Sequence, residues 1–173
     1  MLLACSGCGV SVGPSVGRTV NSGAAWTAGP AIGYRTWPGN SRGLILGGDA
    51  EARGSDNAWN GRLTGGLGYG VLPLPHRSAV GVEVTGQPGI AWRRIDGDSH
   101  FAGVLDWRLG LPLRVSPWVA PWNQSNLAEP IHLIVPSIRF GHELRLGGGP
   151  DRIQHDLSFG VSYRFHLWPA VKP

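Results

Sequence analysis

The feature that most constrains this chain is a strict two-residue alternation near its C-terminal end. Between residues 156 and 167 every odd position is large and apolar, whereas every even position is polar or glycine. Successive side chains of a β-strand point to opposite faces of a sheet, so this order predicts one strand of a two-faced sheet. The apolar face holds Leu157, Phe159, Val161, Tyr163, Phe165 and Leu167, and the polar face holds Asp156, Ser158, Gly160, Ser162, Arg164 and His166.

The same alternation recurs along the rest of the chain and predicts about eight strands. Pro88 interrupts one of these runs, but the parity of the apolar positions is unbroken across it, which favours a single bent strand. Clusters of Gly, Pro, Asn, Asp and Ser separate the runs and predict turns. The predicted strands are residues 10–20, 25–36, 43–53, 62–72, 78–94, 101–114, 132–146 and the final run.

The composition of the two faces favours a membrane-spanning barrel over a water-soluble one. Only 15% of the residues are charged, and the chain has 28 glycines. A surface that faces water needs more charged side chains than this polar face offers. The sequence has no run of 18 apolar residues, and strands can cross a membrane only as a closed barrel. We therefore expect an all-β fold, a closed antiparallel up-and-down β-barrel of about eight strands that is transmembrane.

The charged residues of the polar face are predicted to fill the barrel interior. An eight-stranded barrel is just wide enough for its own side chains, so charges inside it must be paired. The interpretation is an interior plugged by paired ions, and the alternative is a narrow, porin-like pore or gate. The predicted network comprises Glu51, Arg53, Glu83, Arg93, Asp106, Arg108, Arg139, Glu143 and Arg164.

Five tryptophans lie near predicted strand ends and are predicted to mark the membrane interface. An indole ring combines an apolar body with one N–H group, which suits the boundary between hydrocarbon and water. The alternative is that these rings fill a core. The five residues are Trp26, Trp37, Trp59, Trp92 and Trp168.

The last strand also carries a family resemblance. Its run Ser162-Tyr163-Arg164-Phe165 resembles the C-terminal strand of outer-membrane barrels, which alternates aromatic residues and ends in Phe, although eight residues follow Phe165 here. Taken as a whole, residues 10–168 resemble a small bacterial outer-membrane β-barrel protein. The resemblance lies in the pattern and names no subfamily. It implies a location in the Gram-negative cell envelope, in the outer membrane, with membrane lipid as a partner.

The first residues resemble part of a lipoprotein signal. Leu2-Leu3-Ala4-Cys5 is similar to a lipobox, which implies lipidation of Cys5, although the charged start and apolar stretch of a signal peptide are missing. We therefore expect residues 1–9 to be a truncated signal or lipobox remnant with an N-terminal tail, residues 10–168 to be the barrel domain, and residues 169–173 to be a C-terminal tail. Cys5 and Cys8 also form a C-x-x-C pair, but its flanking sequence fits neither a redox nor a metal site.

The sequence holds no convincing catalytic set, so we expect no enzyme activity, no cofactor and no metal. His76-Arg77-Ser78 resembles the His-x-Ser piece of lipid A deacylases, but the residues around it do not match. The net charge of +4 is scattered along the chain, which argues against nucleic acid as a partner.

The sequence is compatible with three functions. The first is a structural or loop-mediated binding role, with an envelope protein or a small molecule as the partner. The alternatives are a soluble, lipocalin-like ligand-binding barrel on the periplasmic or outer surface, and an outer-membrane lipid-modifying enzyme.

The lipidation hypothesis predicts that radiolabelled palmitate is incorporated at Cys5 when the protein is made in a bacterium with the lipoprotein pathway. The Cys5→Ser variant should lose the label because the acylated thiol is gone. The matched Cys8→Ser variant should keep it. Equal labelling of the two variants, or no label in the parent protein, would end this hypothesis.

Overall fold

A computed structural model gives the fold and describes residues 7–20, 26–38, 42–56, 58–73, 79–95, 98–115, 129–146 and 153–168. Nine strands occur in these ranges, and no helix in them is long and apolar enough to cross a bilayer. The strands are β1 (Gly7–Thr19), β2 (Thr27–Trp37), β3 (Arg42–Gly54), β4 (Ala58–Val71), β5 (Val82–Ile95), β6 (Asp98–Gly110), β7 (Leu113–Arg114), β8 (Glu129–Arg145) and β9 (Ile153–Trp168).

Eight of these strands close into an antiparallel barrel. Each pairs with its neighbour along the chain from β1 to β6, and β6 then pairs with β8, β8 with β9, and β9 with β1. The two-residue β7 pairs only with β8, beyond the point where β6 ends. This closed ring of strands confirms the predicted eight-stranded up-and-down barrel. It leaves none of the eight strands with an unpaired edge, which is the condition for crossing lipid with strands.

The strands of the barrel are strongly staggered. Following paired residues once around the barrel from Cys8 leads back to β1 at Arg18, ten residues farther along the strand. With eight strands, a rise of ~3.3 Å per residue and a spacing of ~4.8 Å, this stagger tilts the strands by about 40°. Transmembrane barrels have tilts of this size. The path runs through Thr36, Leu46, Leu67, Gly86, Trp107, Phe140 and Leu157.

The two faces of the sheet have opposite character. Large apolar side chains cover the outside, where Leu63 is 58% exposed and Leu67 is 61% exposed. Their strand neighbours Arg62 and Thr64 point inward and are almost fully buried. This arrangement is the reverse of a soluble barrel, which places its apolar side chains inside.

The barrel has two ends that differ in their packing. We call the end at which β1 begins and β9 finishes the proximal end, and the opposite end the distal end. The proximal interior holds the apolar core, a cluster of Trp37, Ile45, Leu72, Ile131, Leu133 and Val135. The middle and distal parts of the interior hold the buried charges.

Several predicted strand bounds differ from the structure. The first strand begins at Gly7, inside the predicted N-terminal tail of residues 1–9. The predicted strand 101–114 is two strands, because the ladder of β6 stops at Gly110 and Pro112 lacks an N–H group. In contrast, β5 continues through Pro88, whose ring points outward and whose partner in the register is Leu105.

The outward apolar face predicts a depth-dependent cost for added charge. Leu63→Arg places a cation near the middle of the apolar band and should destabilise the protein by about 2–4 kcal/mol in phospholipid vesicles. Leu146→Arg, directly after β8 at the distal end, should cost only about 0–1 kcal/mol. Urea unfolding in vesicles measures both values. Equal costs at the two positions would contradict the assignment of this face to lipid.

Candidate functional site

The interior of the barrel holds a closed ring of eight charges, in which each guanidinium group alternates with a carboxylate. We call this cluster the charge ring. Its members come from β3, β4, β5, β6, β8 and β9, and every one of their side chains is at least nine-tenths buried. In order around the ring they are Arg53, Asp156, Arg93, Glu143, Arg62, Asp106, Arg139 and Glu51.

One half of the charge ring is centred on Arg62 and Arg93. Arg62 Nη1 lies 2.9 Å from Asp106 Oδ1, and Arg62 also donates to Glu143. Arg93 Nε lies 2.7 Å from Glu143 Oε2, and Arg93 Nη2 lies 3.1 Å from Asp156 Oδ2. Each guanidinium therefore contacts two carboxylates.

The other half is centred on Arg53 and Arg139. Arg53 Nη2 donates to both oxygens of Asp156, at 2.8 and 3.0 Å, and Arg53 Nε lies 3.2 Å from Glu51 Oε1. Arg139 donates to Glu51, and its Nε lies 3.6 Å from Asp106 Oδ2, which closes the ring. Four positive and four negative charges thus neutralise one another, which is the condition for burying ions.

Two smaller ion clusters lie between the charge ring and the proximal core. Arg164 makes two parallel hydrogen bonds to Glu83, at 2.7 and 2.8 Å. Asp49 is shared by two arginines, with Arg35 Nη2 at 2.6 Å and Arg108 Nη1 at 2.8 Å. The structure therefore places all nine residues of the predicted interior network inside the barrel and distributes them over three clusters.

Sequence reasoning left four ions out of the predicted network. These are Arg35, Asp49, Arg62 and Asp156, all of which are buried and ion-paired. Each lies at an inward-facing position of its strand, so the alternation could have predicted that it is buried. Their partners could not be found in this way, because a partner is decided by the stagger between distant strands.

The structure corrects the interpretation of Trp37 as an interface residue. Its side chain is 0% exposed and lies inside the proximal end, edge-on to His166 with ring centroids 5.1 Å apart. The Arg164 guanidinium lies 6.0 Å from the centroid of the same ring. Trp37 has the same odd parity as the inward-facing Arg35. The alternation therefore predicts the direction of this side chain correctly, whereas its position near a strand end does not.

Three of the other predicted interface tryptophans lie on the outside near the distal end. Trp59 and Trp92 are in edge contact, with centroids 4.7 Å apart, and the Arg18 guanidinium lies 5.8 Å from the centroid of Trp26. The side chain of Trp168 and all of Cys5 lie outside the part of the chain that the structure describes.

The three tyrosines of the sequence form a second belt that sequence reasoning missed. Tyr34, Tyr69 and Tyr163 are all exposed on the outside, toward the proximal end of their strands. Trp26 and Tyr34 are eight residues apart, and Trp59 and Tyr69 are ten apart. At the strand tilt given above, the two belts are separated by about 20–25 Å along the barrel axis, close to the height of the apolar band of outer-membrane barrels.

Comparison with solved structures supports this geometry. The structure of Neisserial surface protein A matches with a TM-score of 0.55 at 12% sequence identity, over 93% of this chain and 96% of that chain. The chain has the fold of a small outer-membrane β-barrel. Ail, the attachment invasion locus protein of Yersinia pestis, matches with a TM-score of 0.47 at 16% identity, over 92% of this chain and 99% of that chain. No protein-family model matches the sequence, and the comparison with curated proteins gives no significant match.

The charge ring leaves little room for acid–base or cation-binding chemistry inside the barrel. Carboxylates held by two guanidinium groups are not free to act as general bases or to bind a cation. Among the described residues, no group of three His, Cys, Asp or Glu side chains is placed to hold a metal ion. The interior charges link strands that are distant in the chain, such as β3 and β9 through Arg53 and Asp156.

The Glu83–Arg164 pair offers a direct test of this role. Arg164→Leu should cost about 3–5 kcal/mol of unfolding free energy, because it leaves the carboxylate of Glu83 buried without its bidentate partner. The double variant Glu83→Leu/Arg164→Leu should recover much of this loss, because no lone charge remains. Urea unfolding of both variants measures the coupling. Arg94→Leu, an outward-facing control on β5, should change stability by less than about 0.5 kcal/mol.

Proposed function

We propose that this protein is an outer-membrane β-barrel of a Gram-negative bacterium that acts as a filled, rigid scaffold. In this proposal the barrel anchors the chain in lipid, and the segments that connect its strands bind a partner in the cell envelope. Binding residues are commonly carried by loops on a rigid framework.

The observation that carries the membrane location is the outer surface itself. Apolar side chains cover it between the distal Trp26, Trp59 and Trp92 and the proximal tyrosines. Water-exposed apolar surface on this scale would drive aggregation of a soluble protein. A hydrocarbon environment removes that cost, and two aromatic belts about 20–25 Å apart suit the two interfaces of a bilayer.

The filled interior supports a scaffold rather than a pore. The charge ring occupies the distal and middle interior, and the apolar core around Trp37, Leu133 and Ile45 occupies the proximal end. An ion that passed through the barrel would have to displace both the charge ring and the apolar core. The same polar interior and apolar exterior disfavour the soluble lipocalin-like alternative, since that function needs an apolar cavity inside.

We also propose that the protein is not an enzyme. The weak resemblance to a lipid A deacylase involves His76 and Ser78, which lie outside the described residues. The carboxylates of the charge ring are already engaged by guanidinium groups.

The membrane proposal predicts that the protein fractionates with outer membranes, resists an alkaline carbonate wash and is released by detergent. Unheated samples should migrate faster on a denaturing gel than boiled ones, because a closed barrel resists the detergent until heated. Release into the aqueous wash would overturn the membrane location. Purified protein in a planar bilayer should add no steady ion current, and a continuous current would overturn the filled scaffold while leaving the location intact.

A further inference from the structure

At the middle of the barrel, the wall where β8, β9 and β1 meet has small inward side chains. The inner face of this wall carries Ser15, Ser137 and Ser158, with Gly13 and Gly160. The long charged side chains come mainly from the opposite strands β3 to β6. A cavity of about 40 Å³ remains between the two sides, next to Asp49, Glu51, Arg108 and Arg139.

Side-chain burial agrees with the position of this cavity. The side chains of Asp49, Arg108 and Arg139 are 9–11% exposed, whereas the other ions in the described interior pairs are 0–4% exposed. Space for a guest group therefore exists next to these three residues. Arg108 already turns one Nη toward the serine wall, 3.3 Å from Ser137 Oγ.

The charge beside the cavity is not balanced. The charge ring is neutral, and so is the pair of Glu83 and Arg164. In the remaining cluster, Arg35 and Arg108 share the single carboxylate of Asp49. Within the described interior ion pairs, this leaves one surplus positive charge at the cavity, which favours an anionic group there.

An apolar groove of about 500 Å³ lies on the outside of the same wall. Val16, Leu109, Ile138, Phe159 and Val161 line it, and all five are exposed on the outer surface. Ile138, Phe159 and Val161 lie near the middle of their strands, and Leu109 is the last residue but one of β6. In a bilayer this groove would therefore face acyl chains.

The cavity and the groove border the same few wall residues, Pro14, Ser137, Phe159, Gly160 and Val161. The register of β1 with β9 runs from Val12 opposite Tyr163 to Ser15 opposite Gly160 with no pair between them. Similar gaps lie beside Pro30 and Pro88 elsewhere in the barrel. Pro14 has no N–H to donate across the seam, and Gly160 has no side chain to cover it.

We propose that this seam is a lateral binding site for a single-chain amphiphile with an anionic head, of the fatty-acid class. This inference rests on the membrane location proposed above. The hydrocarbon chain lies in the outer groove, against Phe159 and Ile138. The carboxylate reaches past Pro14 and Gly160 into the cavity, where it accepts hydrogen bonds from Arg108 and the hydroxyl of Ser137. Binding requires a local displacement of the β1–β9 seam at Gly13 and Pro14.

The test uses the full chain in lipid nanodiscs and a fluorescent long-chain fatty acid, with the matched fatty alcohol as a neutral competitor. The acid should bind saturably, and the alcohol should compete at least about tenfold less well, because it lacks the charge that Arg108 recognises. Arg108→Gln should weaken binding of the acid by about tenfold or more and leave binding of the alcohol unchanged. Arg94→Gln on the outer surface is the matched control and should bind both probes like the parent protein.

A second pair of variants tests the groove independently of the charge. Val161→Trp fills the groove and should weaken binding of the acid and of the alcohol alike. Ile90→Trp, on the outside of β5 across the barrel from β1, should weaken neither. If Arg108→Gln fails to give the fast-migrating folded band, the acid-to-alcohol ratio and these two variants still decide the question.

The outcomes separate this inference from the proposed function. Equal binding of acid and alcohol, or equal effects of Val161→Trp and Ile90→Trp, would reduce the groove to ordinary lipid-facing surface and overturn the inference. The protein would then still fractionate with outer membranes. Release into the aqueous wash would instead remove the proposed function and this inference together.

Discussion

Six strands of this barrel are tied together inside by a ring in which four guanidinium groups alternate with four carboxylates. Burying one charge alone would cost more than a single favourable contact returns, and removing one member of a buried pair costs about 3–5 kcal/mol. In the closed ring every ion has an opposite charge on both sides. The barrel can therefore be filled with ions and remain a compact unit, while large apolar side chains cover most of the outer surface.

The stagger of ten residues makes the ring geometrically possible. With this stagger, Arg53 of β3 and Asp156 of β9 reach each other across the interior, although 103 residues separate them along the chain. The same tilt brings the tryptophans and tyrosines to two heights that match the interfaces of a bilayer. The contacts between interior ions and the heights of the aromatic belts therefore both follow from the stagger of the strands.

The interior is uneven, and its unevenness suggests where function other than anchoring resides. The large ionic side chains come chiefly from β3 to β6, whereas β1 and the middle of β9 offer mostly serine and glycine inward. The seam between β1 and β9 has prolines on its outer side and the surplus charge of Arg108 on its inner side.

The sequence by itself determined the strands and the side on which each residue lies, because side-chain alternation is a local property of an extended backbone. The buried positions of Glu51, Arg93 and Asp106 followed from parity alone, and parity would also have turned Trp37 inward had it been given precedence. Only the tertiary structure decided which charges meet, where the apolar core around Leu133 sits, and which wall is thin. These properties depend on the register between strands that are far apart in the chain, and that register is set by closure of the whole barrel rather than by any one segment.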